Sequence, residues 1–322
     1  MKTIITLLSF ILLSVTLSNA QEAKYSFSES FKLTSPTQVS VSSSDGNIEA
    51  VAVEGQKADV FYIVTKNNKV LNISRAELEK EVTLEVIQVN NSLSIVVKYK
   101  DEYNKFSWKD KMVVNFRLQL PKDAANELRT SDGNISIKGF TKDQKCKTSD
   151  GNLNITDIVG SVVASTSDGN INVNNVTGSV EVKSSDGNIV IDNVKGDTKI
   201  GTSDGNLVLN NISGNTVAKT SDGDIKFENI AGSLTASTSD GNVSGNMLAL
   251  SKELTVRTGD GNIAVTIPGN LGLDLDIKGE SLDIPLTNFS GRSDENVIVG
   301  KSNGGGIPVN LSTSGNVKLS YK

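Results

Sequence analysis

The sequence contains no histidine and only one cysteine, Cys146, among its 322 residues. The common zinc sites and the Ser-His-Asp and Cys-His catalytic arrangements need these residue types, so the inventory excludes them. A single cysteine also cannot form an internal disulfide. We therefore expect no metal site, no cofactor and no nucleophilic active site of these classes.

Aromatic residues and positive charge are also scarce. Aromatic residues make up 5% of the chain although 37% is apolar, which predicts a folded protein with an aliphatic core. The formal charge is −5, from 32 basic and 37 acidic residues. Partners that select basic surfaces, such as nucleic acids and anionic membranes, are therefore disfavoured.

A long apolar run is absent except at the N-terminus. Lys2 precedes the apolar segment from Ile4 to Leu13, and small residues end at Ala20, which is the pattern of a cleaved export signal at residues 1–20. No later segment is long and apolar enough to hold the mature chain in a membrane. We expect an exported protein in the periplasm, on the outer surface or in the medium.

What the sequence has in abundance is one repeated motif, S/T-S-D-G-N. Its aspartates recur at steps of eighteen residues and are called the aspartate ladder below. The ladder consists of Asp132, Asp150, Asp168, Asp186, Asp204, Asp222 and Asp240. A fixed period of this kind indicates a repeat architecture in which each unit buries its apolar side against its neighbours.

Within each unit, apolar residues alternate with polar ones, which predicts two short strands and two turns. Identical units of eighteen residues favour a parallel β-solenoid over an antiparallel sandwich, because a sandwich tolerates unequal loops. The fold class is therefore all-β, with 18-residue coils whose inward column includes a set of aliphatic residues. This set is Ile135, Ile155, Val173, Ile191 and Leu209. Cys146 falls at an inward position of the second strand and should be a small buried side chain.

The S-D-G-N segment suits a corner of each coil. The glycine is expected to provide a positive φ, and stacked asparagines such as Asn134 and Asn152 should hydrogen-bond from coil to coil. Stacked aspartates repel one another, so a calcium-stabilised repeat is an alternative to a solvated corner, which we favour. The threonines before the motif face inward by the same alternation, which disfavours an ice-binding face.

The flanking regions lack the strict period. Residues 21–128 are predicted to be a β-rich N-terminal part and cap, with a hairpin around Asn90-Asn91. The segment "SRAELEKEV" at 74–82 suits either a helical turn or a charged strand. Regular coils are predicted for residues 129–262, and irregular capping coils for residues 263–322.

Three segments carry a resemblance to a known family: "MVVNFRLQLPKDAANELRTSDGNISIKG", "VRTGDGNIAVTIPGNLGLDLDIKG" and "NGGGIPVNLSTSGNVKLS". Together with the repeats between them, they resemble the bacterial putative-adhesin family of β-strand-repeat domains of unknown function, from about Ser42 to the C-terminus. The resemblance implies a right-handed β-solenoid, a cell-envelope or surface location, and no enzymatic activity.

These observations predict a non-catalytic, adhesin-like binding or scaffold protein, with a glycan or an envelope protein as partner. A purely structural spacer is the alternative, and a polysaccharide-active β-helix enzyme is disfavoured because the strict repeats leave no long loops. The candidate binding residues are Tyr103, Phe106 and Trp108, which lie among charged residues. The alternative, that these aromatics cover the first coil as part of a cap, follows the general rule that large apolar side chains are mostly buried.

Overall fold

The computed structural model describes residues 25–100 and 111–322, which form 27 strands and one short helix. The predicted export signal at residues 1–20 lies outside these ranges. Among the described residues, no helix has the length and apolar character needed to cross a bilayer.

The strands and the helix have the following bounds. The N-terminal elements are β1 (Phe27–Lys32), β2 (Thr37–Ser42), β3 (Ile48–Val53), β4 (Lys57–Lys66), β5 (Lys69–Val70), α1 (Arg75–Leu78), β6 (Val82–Val89), β7 (Ser92–Tyr99), β8 (Val113–Pro121) and β9 (Ala124–Arg129). The repeat strands are β10 (Ile135–Lys138), β11 (Gln144–Lys147), β12 (Leu153–Val159), β13 (Val162–Ser165), β14 (Ile171–Thr177), β15 (Val180–Lys183), β16 (Ile189–Lys195), β17 (Thr198–Gly201), β18 (Leu207–Lys219), β19 (Ile225–Ser237), β20 (Val243–Arg257) and β21 (Ile263–Ile267). The C-terminal strands are β22 (Leu273–Lys278), β23 (Leu282–Asp283), β24 (Ser290–Ser293), β25 (Val297–Ser302), β26 (Ile307–Ser312) and β27 (Val317–Tyr321).

The repeats form two stacks of parallel strands. In the first stack, β10, β12, β14 and β16 pair in order, and Leu153 lies opposite Ile171. In the second stack, β9, β11, β13, β15 and β17 pair in the same way. The chain passes from the second stack to the first through each S-D-G-N corner. The predicted parallel β-solenoid with 18-residue coils is therefore confirmed.

The core is the aliphatic column between the two stacks. The five residues predicted to point inward are each at most 1% exposed. Cys146 is also buried, and burial raises the pKa of its thiol to about 12, so it is an inert core side chain. The alternation of buried and exposed residues along each strand follows the pleat, which places the polar residues outside.

At both ends of the solenoid the spatial order of the coils differs from the order in the sequence. The coil made by β2 and β3 lies between β7 and β9 in one stack and between β8 and β10 in the other. Likewise, β26 lies between β20 and β22. Antiparallel strands then extend each end, with β4 beside β8 and β25 beside β22. Residues distant in the sequence thereby become neighbours near the ends.

Two local predictions near the N-terminus have clear outcomes. β6 and β7 form the predicted antiparallel hairpin, in which Val89 lies opposite Ser92 and Asn90 has a φ of 53°. The segment at 74–82 contains the helical turn α1, and the strand begins only at Val82. The helix forms because Ser74 and Glu77 make a reciprocal capping box, which satisfies backbone N–H groups at its start.

The reason for glycine at the S-D-G-N corners differs from the prediction. The φ angle of Gly169 lies outside the left-handed region, so the corner does not need glycine for a positive φ. Instead, a Cβ on Gly169 would lie 1.9 Å from the carbonyl oxygen of Gly151 in the preceding coil. Glycine is required there because consecutive corners approach too closely for any side chain.

Candidate functional site

The S/T residue that opens each motif is a structural part of the corner. The Thr166 hydroxyl donates to the carbonyl oxygens of Ser149 and Gly151, at 2.9 and 3.0 Å, and accepts from the N–H of Gly169 at 3.2 Å. Thr166 is buried, as the alternation predicted. Its hydroxyl is thus committed to joining consecutive coils and is not displayed on the surface.

The asparagines of the motif, with Asp224 at one position between Asn206 and Asn242, form a continuous hydrogen-bonded ladder, called the asparagine ladder below. The Oδ1 atom of Asn134 accepts from the backbone N–H of Asn152 at 2.8 Å and from its amide Nδ2 at 3.1 Å. The same hydrogen bonds join the coils that are out of sequence order. The Asn134 N–H donates to the Asn47 Oδ1, and the Asn316 N–H donates to the Asn262 Oδ1. The predicted asparagine stacking is confirmed, and it ties the corners into one stiff edge.

The aspartate ladder lies beside this edge, with its carboxylates exposed to solvent. Asp45 belongs to an earlier copy of the motif, at residues 44–47, and is a neighbour of Asp132, the first aspartate of the ladder. Partial burial and, second, the Asp132 carboxylate raise the pKa of Asp45 above its usual range. Such repulsion is the cost that stacked carboxylates were expected to carry. Within residues 25–100 and 111–322, no three His, Cys, Asp or Glu side chains converge on a common metal position.

We expect the aspartate ladder to act as a solvated corner without calcium, because its carboxylates are exposed to solvent. Adding EDTA should leave the melting temperature unchanged, and millimolar calcium should not raise it by more than about 1 °C, because a ligand stabilises a fold only when it binds the folded state. Magnesium at the same ionic strength is the control for screening. A large increase specific to calcium would contradict the prediction.

The candidate site is a groove on the outer surface of the second stack, near the N-terminal end of the solenoid. It has a volume of about 420 Å³, within the range of small-ligand sites. The groove crosses β7, β2, β9, β11 and β13, which are neighbours in the stack. Among the residues that line it are Gln38, Ser92, Glu127, Lys145 and Val163.

Beneath the groove, two buried polar side chains replace the aliphatic pattern of the core. Asn126 and Gln144 occupy inward positions that Val162 and Val180 fill in the next coils. The Asn126 Nδ2 donates to the Gln144 Oε1 at 2.7 Å, whereas the Asn126 Oδ1 has no partner among the described residues. A buried polar atom without a partner costs stability, so this pair marks a departure from the simple repeat.

Three charged side chains form a compact cluster at the groove, and two of them, Glu127 and Lys145, line it. The Glu127 Oε1 accepts from the Arg129 Nε at 2.8 Å and lies 3.4 Å from the Lys145 Nζ. Hydrogen bonds from Arg129 lower the pKa of Glu127, so the carboxylate is ionised at neutral pH. The cluster therefore presents a carboxylate acceptor and an ammonium donor side by side.

The sequence did not identify this groove. Gln38, Ser92 and Glu127 meet only because the β2 coil is inserted between β7 and β9, and the sequence period carries no information about that insertion. The polar Gln144 at an inward position was a signal that could have pointed there. The predicted binding residues Tyr103, Phe106 and Trp108 lie outside the described residues, so their role stays a prediction.

Comparisons with known proteins give a family and several distant structural likenesses. Among curated proteins, none matches the chain significantly. The chain is similar to the crystal structure of a putative adhesin from Bacteroides fragilis NCTC 9343, at 13% identity over 74% of this chain and 96% of that one, with a TM-score of 0.32. It is also similar to a putative lipid binding protein from Parabacteroides distasonis ATCC 8503, at 13% identity over 91% and 96% of the two chains, with a TM-score of 0.35.

A third structure is described as a putative cell adhesion protein from Clostridium sporogenes ATCC 15579. It is 11% identical over 92% of this chain and 99% of that one, with a TM-score of 0.21. A family model matches residues 34–320, which include the repeats together with both end regions. The chain belongs to the Toastrack DUF4097 family, whose function is unknown.

Proposed function

We propose that this protein is an exported, non-catalytic, adhesin-like binding or scaffold protein of the bacterial cell envelope. The observation that carries the binding role is the groove, because it places unpaired polar side chains on a rigid stack of strands. Rigid elements favour binding, since little conformational freedom is lost when a ligand is held. The signal-like residues 1–20 support export.

The groove contains two carboxylates, yet its electrostatics favour binding over glycoside hydrolysis. Hydrolysis needs one carboxylic acid whose pKa is raised so that it can protonate the leaving group. Arg129 instead lowers the pKa of Glu127. The Asp143 Oδ1 accepts a hydrogen bond from the backbone N–H of Ser161 at 2.8 Å, which holds it in a structural role.

A purely structural spacer is the second candidate. The observation in its favour is the asparagine ladder, which continues from Asn47 through the repeats to Asn316 and stiffens one edge of the whole solenoid. A spacer would need this edge and the core, but it would have no use for the groove or for the polar pair below it.

A binding screen separates the two candidates. The mature protein should bind at least one member of a glycan array or a panel of purified envelope proteins, and a spacer should bind none. We expect Phe106→Ala with Trp108→Ala to weaken that binding without lowering the melting temperature, because aromatic side chains often anchor partners.

The matched control is Ile87→Ala with Val89→Ala, which truncates two exposed apolar side chains on β6. This variant should bind normally. If the aromatic variant unfolds, Phe106 and Trp108 belong to a core, and if it binds normally, they are not part of the site.

A further inference from the structure

The groove has the shape of a trough that runs across the strands. It extends over five neighbouring strands, so its length is roughly 19 Å, four steps of the strand spacing. The strands on its floor are paired on both sides within the stack. An extended peptide therefore finds no free strand edge there and could not bind by strand addition.

The polar side chains at one end of the trough are available to a ligand. Gln38, Ser40 and Ser92 line it and have no side-chain hydrogen bonds to the described residues. By contrast, a second groove of about 490 Å³ on the same stack is lined by Asn215, whose Oδ1 already accepts from Ser233 and Lys252. Of these two grooves, the first is therefore the one that combines open amide and hydroxyl groups with an ion-paired cluster.

The cluster in the middle of the trough has the chemistry that recognises sugar hydroxyls. A hydroxyl group both donates and accepts, so Glu127 can accept from one sugar hydroxyl while Lys145 donates to another. Val163, which is 44% exposed, lies in register with Lys145 and Glu127 and offers apolar contact for ring C–H groups, and Ala125 adds apolar surface opposite Gln38. Around the groove the negative charges of Glu127 and Asp143 offset the positive charges of Arg129 and Lys145, which favours an uncharged ligand over a polyanion.

We propose that this groove binds a linear neutral oligosaccharide laid across the strands, with Glu127 and Lys145 as the central hydrogen-bonding pair. A trough of roughly 19 Å accommodates about four pyranose rings of an extended chain. Gln38, Ser40 and Ser92 contact the sugars on β2 and β7. The proposal rests on the proposed binding function and gives it a ligand class and a site.

The first test is a length series of cello-, chito-, manno- and xylo-oligosaccharides with two to six sugars. Binding is measured by isothermal titration calorimetry and by saturation-transfer NMR on the mature full chain. At least one series should bind, with an affinity that rises up to about four sugars and then reaches a plateau as the trough is filled. Weak dependence on salt is expected for a neutral ligand.

The second test uses a matched pair of double variants. Glu181, Lys183 and Lys199 form the same cluster on β15 and β17, with Lys199 Nζ 3.2 Å from the Glu181 Oε1, but they lie outside the groove. Glu127→Gln with Lys145→Gln should lower the affinity about tenfold or more, because hydrogen bonds to charged groups are lost. Glu181→Gln with Lys199→Gln should bind like the wild type. Both double variants should have the same melting temperature, since each removes a similar ion pair from the surface.

Several results would overturn the proposal. These are the absence of binding across all four series, equal losses in the two double variants, or tighter binding of polygalacturonate or of single-stranded DNA through the same residues. If these series fail while the wider screen finds another ligand, the binding function stands and the assignment of the groove is wrong. If both screens fail, the binding function is wrong as well.

Discussion

Gly169→Ala should destabilise the protein by roughly 3 kcal/mol, a large effect for the addition of one methyl group. The new Cβ would lie 1.9 Å from the Gly151 carbonyl oxygen, well inside van der Waals contact. Relief requires the two corners to move apart. That movement would stretch the bond from the Thr166 hydroxyl to the Gly151 oxygen and the bond from Asn170 N–H to the Asn152 Oδ1, now 3.0 and 2.9 Å.

Gly201→Ala is the control for this prediction. Gly201 lies in β17 of the same solenoid, yet the nearest atom to a Cβ there is the Lys219 carbonyl oxygen at 3.8 Å, an ordinary contact. Because alanine also restricts the unfolded chain, this variant should be as stable as the wild type or slightly more stable. Thermal unfolding followed by circular dichroism compares the two. Equal melting temperatures would show that the corners tolerate a side chain.

The regular coils were predictable because two periodic signals agree. Alternation identified the inward residues, and the eighteen-residue step fixed their register, so that Ile155 faces Val173 and Val182 faces Ile200. A shift of one residue would move every inward side chain to the surface, so register errors are strongly penalised. The fold of the repeats therefore followed from the sequence pattern alone.

The ends of the solenoid were not predictable in the same way. Residues 37–42 of β2 pair with β9, more than eighty positions later, and no period links the two segments. Pairing over that distance is decided by packing of the whole chain and not by a local signal. The groove depends on this insertion, so the same lack of information hid the fact that Gln38 and Ser92 line one groove with Lys145.

The corner glycines show a different limit of sequence reasoning. The sequence Asp-Gly-Asn is typical of a turn whose glycine has a left-handed conformation. At Gly169, however, glycine is needed because a Cβ would collide with the carbonyl oxygen of Gly151 in the preceding coil. Only the stacked arrangement reveals that contact. Within the regular coils, a glycine with a positive φ is found at the opposite corner, where Gly178 has a φ of 147°.

Val182→Asp should have the other large effect, a loss of about 4 kcal/mol, because the new carboxylate would be buried without a charged partner. Val182 is 0% exposed and lies between Ala164 and Ile200 in the inward column. Since each coil contacts only its neighbours, the loss should be local at first. Hydrogen exchange should show reduced protection in β13, β15 and β17, while the hairpin of β6 and β7 keeps its protection.

Val163→Asp is the matched control, because Val163 lies on β13 but points outward and is 44% exposed. An exposed carboxylate keeps its hydration, so this change should alter stability by no more than about 0.5 kcal/mol. Chemical denaturation of the two variants gives the comparison. Similar midpoints would contradict the inward position of Val182. A loss confined to Val182→Asp would instead show that the solenoid requires an apolar inner column, whereas its outer face tolerates a charged side chain.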